Sequence, residues 1–302
     1  MRVLVVGEAS VDTYLYVDGF PKEGGSFSLK EKIECPGGNA YTSAILLSKW
    51  GVDTFFSGVI GEDYEGEELI KYAQKNNLNT DYINNNGIET LKKYIVINRY
   101  NTSSTVINSI DFSDISKRQD YKEDIDIILI DSYNYNLVND AIERYPNAIK
   151  VLNANLYNDS TMKLCSLCDY IICTKEFAEL ASKVRMNYRK PDTLKQAINY
   201  LDDMYTGKII ITLKEKGCLY KNEDKTKIMG AIKVKEKDTT STKDVFNGAF
   251  VYGLSKNLPI EKCLKIATIA AGLSARYVGS TSSIPDVLEV YKVYEKNKWS
   301  FY

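Results

Sequence analysis

Short apolar runs, separated by stretches with apolar residues at helical spacing, recur along the whole chain. The first, Arg2 to Val6, leads into the small-residue turn Gly7-Glu8-Ala9-Ser10 and then Val11-Asp12. Similar strand-like runs stand at Asp53 to Val59, Asn79 to Ile83, Asp126 to Ile130, Ile149 to Asn153, Tyr170 to Cys173 and Ile209 to Leu213. Helical spacing falls near 137–145, 160–167, 175–183 and 192–205. That β-α-β rhythm predicts an α/β fold, a mostly parallel sheet with helices on both faces. Ligands of such sheets sit beyond the carboxyl ends of the strands, which puts Asp12 at a crevice, although an Asp there also serves as a turn residue.

Two segments alternate instead. Residues 13–36, with Tyr14, Tyr16, Phe27 and Leu29, read as short strands leaving the sheet, and Thr90 to Asn98 with Ser103 to Ile110 reads as a hairpin around Asn101-Thr102. Together they predict a small strand-built lid. Lys216 to Tyr220 and Thr226 to Val234 read as a further strand pair, and helices at 244–255, about 260–277 and 286–297 close the chain. With no low-complexity linker and no repeat, one domain over 1–302 is the expectation.

Two stretches carry candidate chemistry. Cys35-Pro36-Gly37-Gly38-Asn39 is a Gly-Gly turn feeding a helix that Gly51 closes. Paired glycines let backbone amides approach a ligand, though they also suit a plain tight turn. Between Lys237 and Leu254 a polar run passes directly into a helix of apolar and small residues, so Asp244 falls at a helix start, where backbone N–H groups favour an anion. The alternative there is a capping box in which Ser241 caps the helix and Asp244 reaches back to it.

Composition narrows the chemistry. The 302 residues are 44% hydrophobic and 26% charged, as in soluble globular proteins. A net charge of −1 gives no case for a nucleic-acid or membrane surface, and the first apolar run is too short for a signal peptide or a span. A cytoplasmic location is the expectation. The 6 cysteines, including the cluster Cys165, Cys168 and Cys173, lack any second pair at zinc-finger spacing and read as buried free thiols. There are 0 histidines, which removes Ser-His-Asp, Cys-His and other histidine-based acid–base catalysis and leaves carboxylate, Lys, Tyr or Cys.

P-G-G-N-A-Y-T-S-A-I-L-L-S-K-W-G at 36–51 resembles the N-terminal signature of the PfkB carbohydrate kinases of the ribokinase-like superfamily. D-T-T-S-T-K-D-V-F-N-G-A-F at 238–250 is similar to their C-terminal signature, D-T-x-G-A-G-D-x-F-x-G-A-F. V-V-G-E-A-S-V-D at 5–12, F-P-K-E-G at 20–24, G-E-D at 61–63, T-K-E-F-A-E at 174–179 and I-T-L-K-E-K-G-C at 211–218 extend the likeness along nearly the whole chain. The resemblance implies a three-layer αβα fold with a β-strand lid, and ATP- and magnesium-dependent phosphoryl transfer to a sugar hydroxyl. It implies Asp244 as the base, and Asp12, Gly37, Gly38 and Thr42, which stands where Asn is usual, as sugar ligands. Thr212 and Gly217 would lie by the nucleotide, with Thr242 and Lys243 at the anion hole. The lid would exclude water and build a homodimer.

The chain departs from the family pattern on the nucleotide side. Ser241-Thr242-Lys243 replaces Gly-Ala-Gly, and Lys214 replaces the first Gly of a T-x-G-x-x-G loop. The N-x-x-E magnesium motif reads Thr174-Lys175-Glu176-Phe177, which leaves Glu176 or Glu179 to serve the metal. The acceptor stays open among hexoses, ketoses, sugar acids and sugar phosphates. A nucleoside kinase of the same fold and a sugar-binding module without turnover are the alternatives.

Overall fold

Successive side chains of a strand point to opposite faces, so the apolar run of the first strand, β1 (Arg2–Val6), feeds two cores. Val3 and Val5 enter one and Leu4 and Val6 the other, all fully buried. The computed structural model describes residues 1–85, 89–101, 103–110 and 119–296. In it β1 is followed by β2 (Ser10–Val17), β3 (Glu31–Gly37), β4 (Asp53–Ile60), β5 (Asn79–Asn85), β6 (Lys92–Asn98) and β7 (Ser104–Asn108). Then come β8 (Ile127–Asp131), β9 (Ile149–Ala154), β10 (Tyr170–Thr174), β11 (Lys208–Thr212), β12 (Cys218–Asn222) and β13 (Lys225–Met229). The helices are α1 (Asn39–Lys49), α2 (Tyr64–Lys75), α3 (Tyr135–Arg144), α4 (Asp159–Cys165), α5 (Lys175–Ser182), α6 (Pro191–Met204), α7 (Thr242–Ser255), α8 (Ile260–Ser274) and α9 (Val287–Lys296).

Among the described residues the large sheet runs β13-β12-β11-β10-β9-β8-β1-β4-β5. Every pairing from β11 to β5 is parallel, and β12 and β13 turn back antiparallel at one edge. Helices α1, α2, α7, α8 and α9 cover the face of Val3 and Val5, and α3 to α6 cover that of Leu4 and Val6. This is the expected three-layer αβα arrangement. No helix among the described residues is long and apolar enough to cross a membrane.

A second sheet, β3-β2-β6-β7, has its own small core of Tyr14, Tyr16, Cys35, Ile95 and Ile97. It supplies the strands expected within 13–36 and 90–110, with one correction. Phe27 and Leu29 belong to no strand, are 44% and 47% exposed, and precede β3, because their alternation meets no partner strand. In the hairpin turn Thr102 lies outside the described residues, as does residue 297 at the end of the last helix. The strand expected over Thr226 to Val234 stops at Met229, where Gly230 ends the pairing with β12. Ala231, Ile232 and Val234 then line a cavity.

Helix α7 is buried at almost every position, which fixes how Asp244 is presented. Two of its glycines permit this. A Cβ at Gly248 would stand 3.0 Å from the Ser43 carbonyl oxygen in α1, and one at Gly253 would stand 2.9 Å from Cys263 Cα in α8. Alanine at 253 gains about 1 kcal/mol of helix propensity. Backbone overlap opposes that gain, at roughly 1–3 kcal/mol for overpacking. Gly253→Ala is therefore expected to lower the urea midpoint of unfolding, against the helix-propensity trend.

Candidate active site

Asp244 is the third residue of α7, and its side chain is buried at the carboxyl end of the sheet. Asn153 Nδ2, from the end of β9, donates to Asp244 Oδ1 at 3.3 Å, and Lys243 Nζ stands 3.7 Å from the same oxygen. The capping box does not form. Ser241 makes no side-chain bond to the helix amides and donates instead to Ser280 Oγ at 2.9 Å. Burial pushes the Asp244 carboxyl up to about 7, against the opposing pull of Lys243 and Lys93.

The sugar-side expectations converge. Asp12, in β2, accepts from Ser10 Oγ at 2.6 Å and, on its other oxygen, from the Ser280 hydroxyl. Tyr14 shares a 2.9 Å hydrogen bond with Ser280. In the β2–β3 pairing Gly37 stands opposite Ser10, and a Cβ on Gly37 would overlap the Asp12 carboxylate. Gly38 has φ +100, and a Cβ there would come within 2.7 Å of Ala9 Cα. Glycine is thus required at both, by close approach at one and by backbone sign as well at the other. Thr42 is buried in the first turn of α1, its N–H donating to the Gly38 carbonyl at 2.9 Å.

More charge gathers here than the sequence suggested. Glu8 is buried just beyond β1 and is ion-paired to Lys93 of β6, whose side chain is 12% exposed. The Glu8 N–H donates to Asp131 Oδ2 at 2.9 Å, and the Tyr133 N–H donates to Asp131 Oδ1 at 3.0 Å. Burial, reinforced by the Glu8 charge, raises Asp131 to about 6, and burial raises Asp12 as well, with Lys93 opposing. Glu8, Asp131 and Asn153 each follow or end an apolar strand run, a signal that the strand-end rule could have caught. Lys93 had no such signal. Its neighbour Lys92 pairs at the surface with Glu65, and only the strand register separates the two.

The nucleotide-side expectations meet in one cavity of about 260 Å³, whose lining includes Thr212, Gly217, Thr242, Lys243, Glu176 and Thr174. Its apolar wall comes from Ala231 and Ile232, from Ala271 and Gly272 of α8, and from Ala275 just after that helix. The small residues of α8 recur along one helical face, a pattern that could have marked it. Lys214 takes φ +53, a left-handed backbone that glycine adopts without strain. A Cβ at Gly217 would lie on the Met229 carbonyl oxygen. Ser241, Thr242 and Lys243 are not among the positive-φ residues, so their Cβ atoms add no backbone strain.

Glu176 lies on the cavity wall and pairs with Lys214 at 2.9 Å. Glu179 does not line the cavity; it accepts from the Met186 N–H at 2.7 Å and lies 3.5 Å from Lys175 Nζ. Among the described residues no group of three or more His, Cys, Asp or Glu stands ready to hold a metal. Magnesium beside a nucleotide needs only one or two carboxylates, with phosphates and water completing its shell, and of the two motif carboxylates Glu176 is the one that lines the cavity. Cys165, Cys168 and Cys173 are buried free thiols.

Known proteins carry the same frame. Ribokinase of Lactococcus lactis subsp. lactis is 24% identical over 302 residues, covering 96% of this chain and 95% of that protein. The crystal structure of ribokinase from Thermotoga maritima, 25% identical, superposes with a TM-score of 0.80 and covers 97% of this chain and 99% of its own. Arabidopsis thaliana ribokinase complexed with ribose and ATP superposes with a TM-score of 0.80 at 21% identity, covering 99% of each chain. Residues 1–287 match the sequence model of the pfkB family carbohydrate kinases, and the chain belongs to that family.

Proposed function

We propose that this protein transfers the γ-phosphoryl group of ATP to a hydroxyl of a sugar or sugar derivative, with Asp244 as the base. One observation carries this reading: Asp244 is buried at the start of α7, directly after Thr242 and Lys243 of the cavity wall, and Lys93 acts on both its carboxylate and that of Asp12. Asp12 and the Gly37–Gly38 backbone hold the acceptor hydroxyls, with Thr42 beside them. Asp244 takes the proton of the attacking hydroxyl as the new oxygen–phosphorus bond forms and the bond to the departing diphosphate breaks. The start of α7 at Thr242 and Lys243 faces the transferring group, where the Thr242 N–H also donates to the Thr239 carbonyl at 3.3 Å and the Lys243 ammonium adds positive charge near the base. Thr212 and Gly217 shape the nucleotide cavity. Glu176 would hold magnesium, which would supply positive charge to the phosphates, and Glu179 supports that segment through Met186.

The whole chain acts as one domain in the cytoplasm, where ATP is supplied, and the lid keeps water from the acceptor. The outer lid strand β7 is exposed throughout, with Val106 and Ile107 at 48% and 55%, an apolar edge unpaired among the described residues that suits a homodimer through the lid. A second reading, a sugar-binding module without turnover, draws support from the Lys214–Glu176 pair at the nucleotide cavity.

Calorimetry with Mg-ATP and a panel of sugars and nucleosides, followed by phosphorylation assays on each binder, separates these readings. Sugar binding without nucleotide binding or turnover would sink the kinase reading, and phosphorylation of nucleosides alone would redirect it. Asp244→Asn is expected to lower kcat by roughly 10²–10⁴-fold at similar sugar affinity. Its stability should move the other way. The raised carboxyl favours the folded state fully below its unfolded value near 4, and that contribution is lost as pH rises towards about 7. At pH 8 the Asn variant should therefore resist urea better than the wild type. Because the base must be ionised, kcat/KM of the wild type should rise with pH through about 7, and a flat profile from pH 5 to 9 would count against Asp244. Ile107→Glu should shift the protein from dimer to monomer in light scattering.

A further inference from the structure

The ion pair between Lys93 and Glu8 joins two sheets. Lys93 belongs to β6 of the lid, Glu8 follows β1 of the large sheet, and their side chains are 12% and 2% exposed. From Glu8 a line of polar contacts runs to the base. The Asn39 N–H donates to Glu8 Oε1 at 3.2 Å, Lys243 Nζ donates to Asn39 Oδ1 at 3.0 Å, and Lys243 Nζ stands 3.7 Å from Asp244 Oδ1. We propose that Lys93 is a positioning residue for the reaction: from the lid, it holds Glu8 in place and supplies countercharge to Asp12 and Asp244, so that the candidate base is ionised in the closed site. This rests on the reading of Asp244 as the base.

The chemistry behind it is desolvation. A buried carboxylate beside a second buried carboxylate resists ionisation unless a cation stands close. The groups acting on Asp244 are Lys243 on its own helix, Lys93 on the lid, Glu8 after β1 and the neutral donor Asn153 at the end of β9. Both lysines favour its charged form and Glu8 opposes it. From α1 the contacts are neutral, Ser43 Oγ donating to the Asp244 carbonyl at 2.8 Å. Burial disfavours the Lys93 ammonium, yet the charges of Glu8, Asp12 and Asp244 and the hydrogen bond to Glu8 hold it above the ordinary lysine range. A cation so held does not titrate between pH 5 and 9 and can set the ionisation of its neighbours.

The test is the titration of Asp244, read by carboxyl-carbon NMR of the ligand-free protein and assigned by its absence in Asp244→Asn. Lys93→Met should move the midpoint up by about one pH unit or more. Lys93→Arg should restore it, and Glu8→Gln should move it down. Opposite signs at the two ends of one ion pair are the result that a merely structural contact would not produce. In turnover assays the acidic limb of kcat/KM should shift in the same directions. An unchanged midpoint in Lys93→Met, or the same sign in Lys93→Met and Glu8→Gln, would overturn the proposal. Should Lys93→Met not fold, Glu8→Gln and Lys93→Arg still decide it: a midpoint that Glu8→Gln leaves in place or raises, or that Lys93→Arg displaces, overturns the proposal. Because the NMR measurement needs no activity, a protein without kinase turnover would fail the functional reading and leave this result separately readable.

Discussion

Four carboxylates, those of Glu8, Asp12, Asp131 and Asp244, are withdrawn from water at one edge of the large sheet, each no more than 4% exposed. Charge in such a place is costly unless it is paired or hydrogen-bonded. The surrounding architecture meets that demand from several directions. The lid brings Lys93, the start of α7 brings Lys243, and the turns after β8 and β1 each bring one backbone amide to Asp131, from Tyr133 and Glu8. Ser10 and Ser280 satisfy Asp12. Chain segments far apart in sequence are held together here by one electrostatic requirement.

The parallel sheet makes the gathering possible, because its strands all end at the same edge. Along that edge the chemistry divides. The ends of β1, β8 and β9 present Glu8, Asp131 and Asn153, whereas the ends of β10 and β11 present Thr174 and Thr212 to the cavity beside α7 and α8. Helix α7 spans the division, with Lys243 on the cavity wall and Asp244 turned to Asn153. Its two close contacts, through Gly248 and Gly253, leave it little room to shift.

Much of this was legible in the residues because the signals are local. Apolar runs, helical spacing and the Gly-Gly turn mark their elements within a few residues, and Thr174, Glu176, Thr212, Lys214, Gly217, Thr242 and Lys243, all named from motifs, line the cavity, whereas Ser241 and Glu179 do not. What was missed depends on register and on distant returns of the chain. Lys92 and Lys93 are alike in sequence, and strand pairing alone sends one to Glu65 and the other to Glu8. Ser280 reaches Asp12 across the full length of the chain. The run from 226 to 234 alternates well enough to look like one strand, but Gly230 turns its second half into cavity wall.

Lys214 has a wider consequence. Its left-handed backbone, φ +53, costs a non-glycine residue about 1–2 kcal/mol. The loop nonetheless keeps the hydrogen bonds that close it, from the Leu213 N–H to the Gly217 carbonyl at 2.7 Å and from the Gly217 N–H to the Lys214 carbonyl at 2.9 Å. The turn is closed by its own hydrogen bonds with a lysine in it, at a cost within the energy a fold of this size can spare. A signature written as glycines therefore draws its family too narrowly. Distant members are better sought by the backbone shapes their loops must trace, including those where a charged side chain rides on such a turn.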